Sequence, residues 1–131
     1  MKKLYVLTVV FLLSFGTLAF ADDQRLHILF SQQQSDVQIQ GAGTVVRILP
    51  DDTDGSRHQK FIVKLDSGQT LLIAHNIDLA PRVANLQEGT RIAFYGEYEW
   101  NAKGGVIHWT HKAPRNNHEH GWLKYNGVTY Q

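Results

Sequence analysis

The stretch Val37-Gln-Ile-Gln-Gly-Ala-Gly-Thr-Val-Val-Arg-Ile-Leu49 reads as one long strand interrupted at Gly41-Ala42-Gly43. Before the glycines, Val37 and Ile39 point to one face. Beyond them, Val46 and Ile48 make the inward pair, with Arg47 outward. A phase slip at a glycine-rich point is what a β-bulge or a sharp coil produces. A first strand that curls in this way is what a small closed barrel needs.

Working outward from that strand, Pro50 to Gly55 is a turn or loop. His58 to Leu65 alternates, with Phe61, Val63 and Leu65 on one side and Lys60 and Lys64 on the other. Asp66-Ser67-Gly68 is a short connection, and Gln69 to His75 is a third strand with Leu71 and Ile73 inward. The period then changes. With Asp78 as N-cap, Leu79, Val83 and Leu86 form a helical stripe that Gly89 ends. Gly96-Glu-Tyr-Glu-Trp-Asn-Ala-Lys-Gly-Gly-Val-Ile-His-Trp-Thr-His111 is a hairpin around a glycine-containing turn. Its first strand places Ile92, Phe94, Tyr98 and Trp100 on one face, and Arg91, Tyr95, Glu97 and Glu99 on the other. Asn126-Gly127, between Trp122–Tyr125 and Val128–Tyr130, supplies the positive φ angles of a two-residue type I′ turn. Strand, strand, strand, short helix, strand, strand is the order of an OB-fold. The expected fold class is therefore all-β with one short helix, a small five-stranded OB-fold-like barrel plus a C-terminal hairpin. Asp22 and Asp23 also cap a short amphipathic segment with Leu26, Leu29 and Phe30 on one side.

The beginning of the chain has a different character. Met1-Lys2-Lys3 is basic, Leu4 to Phe15 is apolar, and Ala19-Phe20-Ala21 is a small-x-small cleavage site, which together predict a secretory signal peptide over residues 1–21. The expected location is the periplasm or the exterior. Residues 22–36 are then a helix and polar linker, and 37–131 a single barrel domain. The apolar run is shorter than the roughly 20 residues that a span requires, and no later stretch approaches it. Without Lys2 and Lys3, eleven basic residues stand against twelve acidic ones, a net charge of −1. Such a balance gives no global field to attract nucleic acid or anionic lipid. The chain has no cysteine, which excludes disulfides, thiolate catalysis and Cys-ligated zinc.

Arg57-His-Gln-Lys-Phe61, Ile73-Ala-His-Asn-Ile-Asp-Leu-Ala-Pro-Arg-Val83, and Gly96 through His111 with Gly121-Trp122 resemble a family of small exported bacterial proteins catalogued as a domain of unknown function. The resemblance covers most of the chain after the signal peptide and implies a secreted, single, OB-like domain. It implies no activity, cofactor or site. Ile77-Asp78-Leu79-Ala80-Pro81 also resembles the Ile-Asp-(x)-Pro passage of staphylococcal-nuclease-like OB domains, with an extra residue before the proline and no glutamate directly after it.

Four groups of residues are candidate sites. If the hairpin turn is the two-residue Ala102-Lys103, Glu97 faces His108, Tyr98 faces Ile107, and Gly96 leaves room for the Trp109 ring. A five-residue turn instead puts Trp109 opposite Glu97. A Glu–His pair on an open face is either an acid–base couple, since the carboxylate orients the imidazole, or an ordinary cross-strand ion pair. His108, His111, His118 and His120 are candidate ligands for a divalent metal, Zn²⁺ or Cu²⁺, although no segment has strong ligand spacing. Arg57, His58 and Arg82 would clamp an anion across a groove, or else be solvated and paired with acids such as Asp78. Tyr95, Trp109 and Trp122 are aromatic platforms on which sugars or bases would stack.

Two main readings of function follow. In the first, the chain is an exported binding module whose His/Glu/aromatic face holds a small polar or oligomeric ligand such as an oligosaccharide, nucleotide or peptide. In the second, it is a metal-assisted phosphodiester hydrolase, with His108, Glu97 and His75 as acid–base groups or ligands and Arg82 on phosphate. A structural subunit of an envelope assembly is a third.

Overall fold

A computed structural model describes residues 22–131. The expected signal peptide lies outside the described residues. Among those described, no helix is long and apolar enough to cross a membrane. A short helix, α1 (residues 22–31), precedes seven strands. These are β1 (Val37–Ile48), β2 (His58–Lys64), β3 (Thr70–Asn76), β4 (Arg91–Glu99), β5 (Val106–His108), β6 (Trp122–Tyr125) and β7 (Val128–Tyr130).

Five strands close into a barrel in the order β1-β2-β3-β5-β4, with β4 returning to β1. Every contact is antiparallel except β3–β5, where Leu72 and Ile73 lie beside Val106 and Ile107 in parallel. The length of β1 makes closure possible. Val37 to Thr44 pairs with β4, and Thr44 to Ile48 with β2. β6 bonds to Ala93–Tyr95 of β4, on the edge that β5 leaves uncovered, and β7 follows it outside the barrel. The β6–β7 turn has φ of 50° at Asn126 and 76° at Gly127, as the Asn-Gly pair predicts. The chain is thus the expected OB-like barrel with a C-terminal hairpin.

Alternation builds the core. Phe61 and Val63 of β2, Leu71 and Ile73 of β3, Ile92, Phe94 and Tyr98 of β4, Ile107 of β5 and Leu123 of β6 are all 0–2% exposed. Each fully buried side chain of this size contributes roughly 1.5–3 kcal/mol. The apolar face of α1 closes one end with Leu26 and Leu29. Trp100 Nε1 donates to Phe30 O (3.1 Å) and Gln69 Nε2 to Leu26 O (3.2 Å), holding the helix in place.

Two local expectations are corrected. The first concerns β1, which keeps one phase through the glycines: Ile39, Gly41, Gly43 and Val45 all face inward. The irregularity comes later, between Val45 and Arg47 opposite β2, and it leaves Val46 and Ile48 exposed. The glycines serve close packing. A Cβ on Gly41 would sit 2.6 Å from the Phe94 ring and 3.2 Å from Leu26.

The second concerns the segment after β3, which forms turns, not the helix expected over Leu79–Leu86. Asp78 does not cap a helix. Its carboxylate accepts from the backbone N–H of Arg57 (2.9 Å) and from Arg57 Nε (2.7 Å). The buried Gln59 amide then binds both backbone groups of Val83: its Oε1 accepts from the N–H (2.9 Å) and its Nε2 donates to the carbonyl (3.2 Å). Those bonds occupy groups that a helix would need for its own ladder. Val83 is buried as expected, but Leu79 is 48% exposed.

Candidate functional site

The hairpin adopts the two-residue register: Glu97 lies opposite His108, Tyr98 opposite Ile107 and Glu99 opposite Val106. Tyr98 and Ile107 point inward, so Glu97, Glu99 and His108 share the outer face. His108 Nε2 lies 3.1 Å from Glu97 Oε2 and 3.4 Å from Glu99 Oε1. Among the described residues these three form the group whose ligand atoms lie within 4.8 Å of one another. Glu97 is the most enclosed of the three, with its side chain 19% exposed, so its contacts are screened less than those of a surface pair. Burial, reinforced by the Asp36 carboxylate, pushes the Glu99 carboxyl above the usual range, and His108 opposes that shift.

The chain after β5 folds back over this face. β5 stops at His108 because Trp109 adopts φ of +54°, a left-handed conformation that a bulky side chain rarely takes. That turn breaks the strand alternation. The Trp109 ring stacks on His118 at 3.9 Å and tilts against His111 at 5.1 Å. His118 in turn brings Nε2 to 3.5 Å from Glu97 Oε1, the other oxygen of that carboxylate. Glu97 is therefore flanked by two imidazoles. Opposite it on β1 is Gln38, whose amide oxygen and nitrogen are both buried without a hydrogen-bond partner, and Trp109 Nε1 is in the same position. Buried polar atoms of this kind are uncommon and call for an explanation. Gly96 makes room for the β5 backbone, since a Cβ there would meet His108 O at 2.4 Å; the expectation that it accommodates the Trp109 ring is corrected.

A second patch lies along β4. The Tyr95 and Trp122 rings sit 5.9 Å apart, Lys124 Nζ lies 4.3 Å over Trp122, and the Tyr95 hydroxyl donates to Glu119. These half-buried rings form a shelf next to the Glu–His cluster.

The other candidates do not join the Glu97–Glu99–His108 group, although His111 lies close by against Trp109. His75 is in the core, 0% exposed, with Nδ1 2.7 Å from Thr110 Oγ1 and Nε2 2.9 Å from Pro81 O. It does not join His108 and Glu97. His111 is also buried, its Nδ1 on Lys112 O at 2.7 Å, and burial pushes its pKa down. His120 Nδ1 accepts from Ala113 N–H (2.8 Å). Arg57 pairs with Asp78, Arg82 with Asp51, and His58 Nδ1 rests on Ser56 O. Each guanidinium already has a carboxylate, so the three do not form an open anion clamp. Two participants were missed from the sequence, Glu99 and Gln38. Glu99 was visible as the same-face neighbour of Glu97, diagonal to His108. Gln38 depends on the β1–β4 pairing, for which the sequence held no local signal.

Comparison with curated proteins finds no match for the chain. The matching family model covers residues 9–131 and is described as a protein of unknown function (DUF3465), and the chain, with its OB-like barrel, belongs to that family.

Proposed function

We propose that the chain is an exported OB-like binding module whose outer β4–β5 face takes a polar ligand. The observation that carries this reading is Glu97, held between His108 and His118 beside two aromatic patches. Carboxylates and imidazoles exchange hydrogen bonds with hydroxyl-rich ligands, and flat rings stack on their apolar faces. The Tyr95–Trp122 shelf suits the apolar face of a sugar ring, and the near-zero net charge gives no field to draw in a phosphate chain, which favours an oligosaccharide over a nucleotide. The basic and apolar start of the sequence supports export. The phosphodiesterase reading finds less support, because Arg57 and Arg82 are engaged by carboxylates and His75 is away from the face.

The test is titration of the purified chain with neutral oligosaccharides, followed by tryptophan fluorescence. A saturable change without turnover is expected. Glu97→Gln and Trp109→Ala should each weaken binding about tenfold or more, the loss of one charge-assisted hydrogen bond or one stacking contact. The reading fails if no oligosaccharide binds, or if binding is indifferent to both substitutions.

A further inference from the structure

We propose that Glu97, Glu99 and His108 bind a divalent cation of the zinc class, with His118 as the fourth protein group at the site. The inference rests on the reading of this face as a ligand site and names a component of it. Three observations carry it.

The first is spacing. Nitrogen and oxygen ligands at their usual distance from Zn²⁺ lie about 3.3 Å from each other in a tetrahedron. His108 Nε2 is 3.1 Å from one glutamate oxygen and 3.4 Å from the other. A single imidazole nitrogen has one lone pair or one proton, so it serves two carboxylates poorly by hydrogen bonding alone. A cation between the three atoms satisfies them together and offsets the repulsion of two adjacent carboxylates.

The second is the orientation of His118. Its Nδ1 lies 2.8 Å from the Glu119 carbonyl oxygen, an acceptor, so Nδ1 carries the proton. In the neutral ring, Nε2 then presents a lone pair toward Glu97 Oε1 at 3.5 Å, two acceptors facing each other. A hydrogen bond from Nδ1 to a backbone carbonyl is how proteins commonly fix a metal-binding imidazole. The Trp109 ring stacked on His118 holds it in that orientation, with Trp109 itself in the left-handed region.

The third is the buried Gln38 amide opposite Glu97, which has no hydrogen-bond partner. It is available to a water or ligand group carried by the cation. Two carboxylates with one or two imidazoles favour zinc-class ions; Mg²⁺ and Ca²⁺ prefer all-oxygen sites.

The test is calorimetry on untagged, chelator-treated chain with Zn²⁺, and separately with Mg²⁺ and Ca²⁺. One Zn²⁺ per chain is expected, with a dissociation constant in or below the micromolar range, and no comparable response to Mg²⁺ or Ca²⁺. His108→Gln, Glu97→Gln and Glu99→Gln should each weaken it about tenfold or more. His27→Gln and His120→Gln should leave it unchanged. Thermal unfolding without metal confirms that each variant folds, and Zn²⁺ should raise the midpoint of the wild type but not of His108→Gln. The inference is overturned if Zn²⁺ does not bind, if Mg²⁺ or Ca²⁺ bind as well as Zn²⁺, or if binding is undiminished in His108→Gln. Oligosaccharide binding that persists when Zn²⁺ binding is absent removes the cation and keeps the binding module. Zn²⁺ binding without any oligosaccharide binding does the reverse.

Discussion

His75→Ala lowers the stability of the domain by about 3–5 kcal/mol, the combined effect of a buried cavity and two abandoned hydrogen-bond partners. The imidazole is fully enclosed on β3. Its Nε2–H donates to the Pro81 carbonyl, so its Nδ1 accepts from the Thr110 hydroxyl, and Thr110 is itself 0% exposed. Truncation leaves a hydroxyl and a carbonyl with no replacement partner. In a domain of this size the midpoint of thermal unfolding should fall by about 12 °C or more. The same residue gives the protein a pH dependence. Burial pushes the His75 pKa below its ordinary value, as it does for His111. The folded chain therefore holds these protons less tightly than the unfolded chain. Stability is fully present above the unfolded value of about 6.5, and is lost as pH falls from there through the lower folded value. Urea denaturation at stepped pH should show wild-type stability declining below about pH 6.5, with a slope approaching 1.4 kcal/mol per pH unit for each such histidine. The gap between wild type and His75→Ala should narrow over the same range. A variant within 1 kcal/mol of wild type, or a gap that widens in acid, would contradict this role for His75.

Where local signals existed, the sequence was readable. Alternation assigns Phe61, Val63, Leu71, Ile73, Phe94 and Tyr98 to the core, whereas the residues leave the hairpin register open between a two-residue and a five-residue turn, and only the strand pairing places Glu97 opposite His108. The misreadings came where a distant group overrode a local preference. The stripe Leu79, Val83, Leu86 is helical in spacing, but Gln59, 24 residues before Val83, takes the backbone bonds. Val46 and Ile48 have the hydrophobicity of inward residues, yet β1 must change partners from β4 to β2, and the bulge turns them outward. His75 has the same composition as a catalytic histidine. Only the fold shows Thr110 and Pro81 enclosing it. The return of His118 to Glu97 depends on the left-handed turn at Trp109, which no propensity would assign to tryptophan.

Gly105→Ala should be similarly damaging, about 3–5 kcal/mol, through steric overlap and backbone strain combined. Gly105 has φ of +114°, and a Cβ there would lie 2.2 Å from the Tyr98 ring and 2.5 Å from its hydroxyl oxygen. Tyr98 cannot move aside easily, because it is fully buried and its hydroxyl donates to Gly104 O at 2.9 Å. Gly105 cannot retreat either. Its N–H donates to Asn101 Oδ1 (2.9 Å), and its carbonyl accepts from Leu72 N–H (3.0 Å), which joins the hairpin turn to β3 where the barrel closes. Gly127→Ala supplies the comparison, since Gly127 has φ of +76° but nothing within 4 Å of its added Cβ. It should lose about 1–2 kcal/mol, from backbone strain alone. Urea denaturation of both variants separates the two contributions, and Tyr98→Leu combined with Gly105→Ala should be markedly less than additive, because the shorter side chain removes the clash. Equal losses for the two glycine variants would show that the Tyr98 contact is not rigid. If the contact is rigid, the displacement passes along β5 to His108, three residues on, and the Glu97–His108 distance changes with it. Zn²⁺ affinity in a folded Gly105→Ala variant should then fall even though no ligand has been altered.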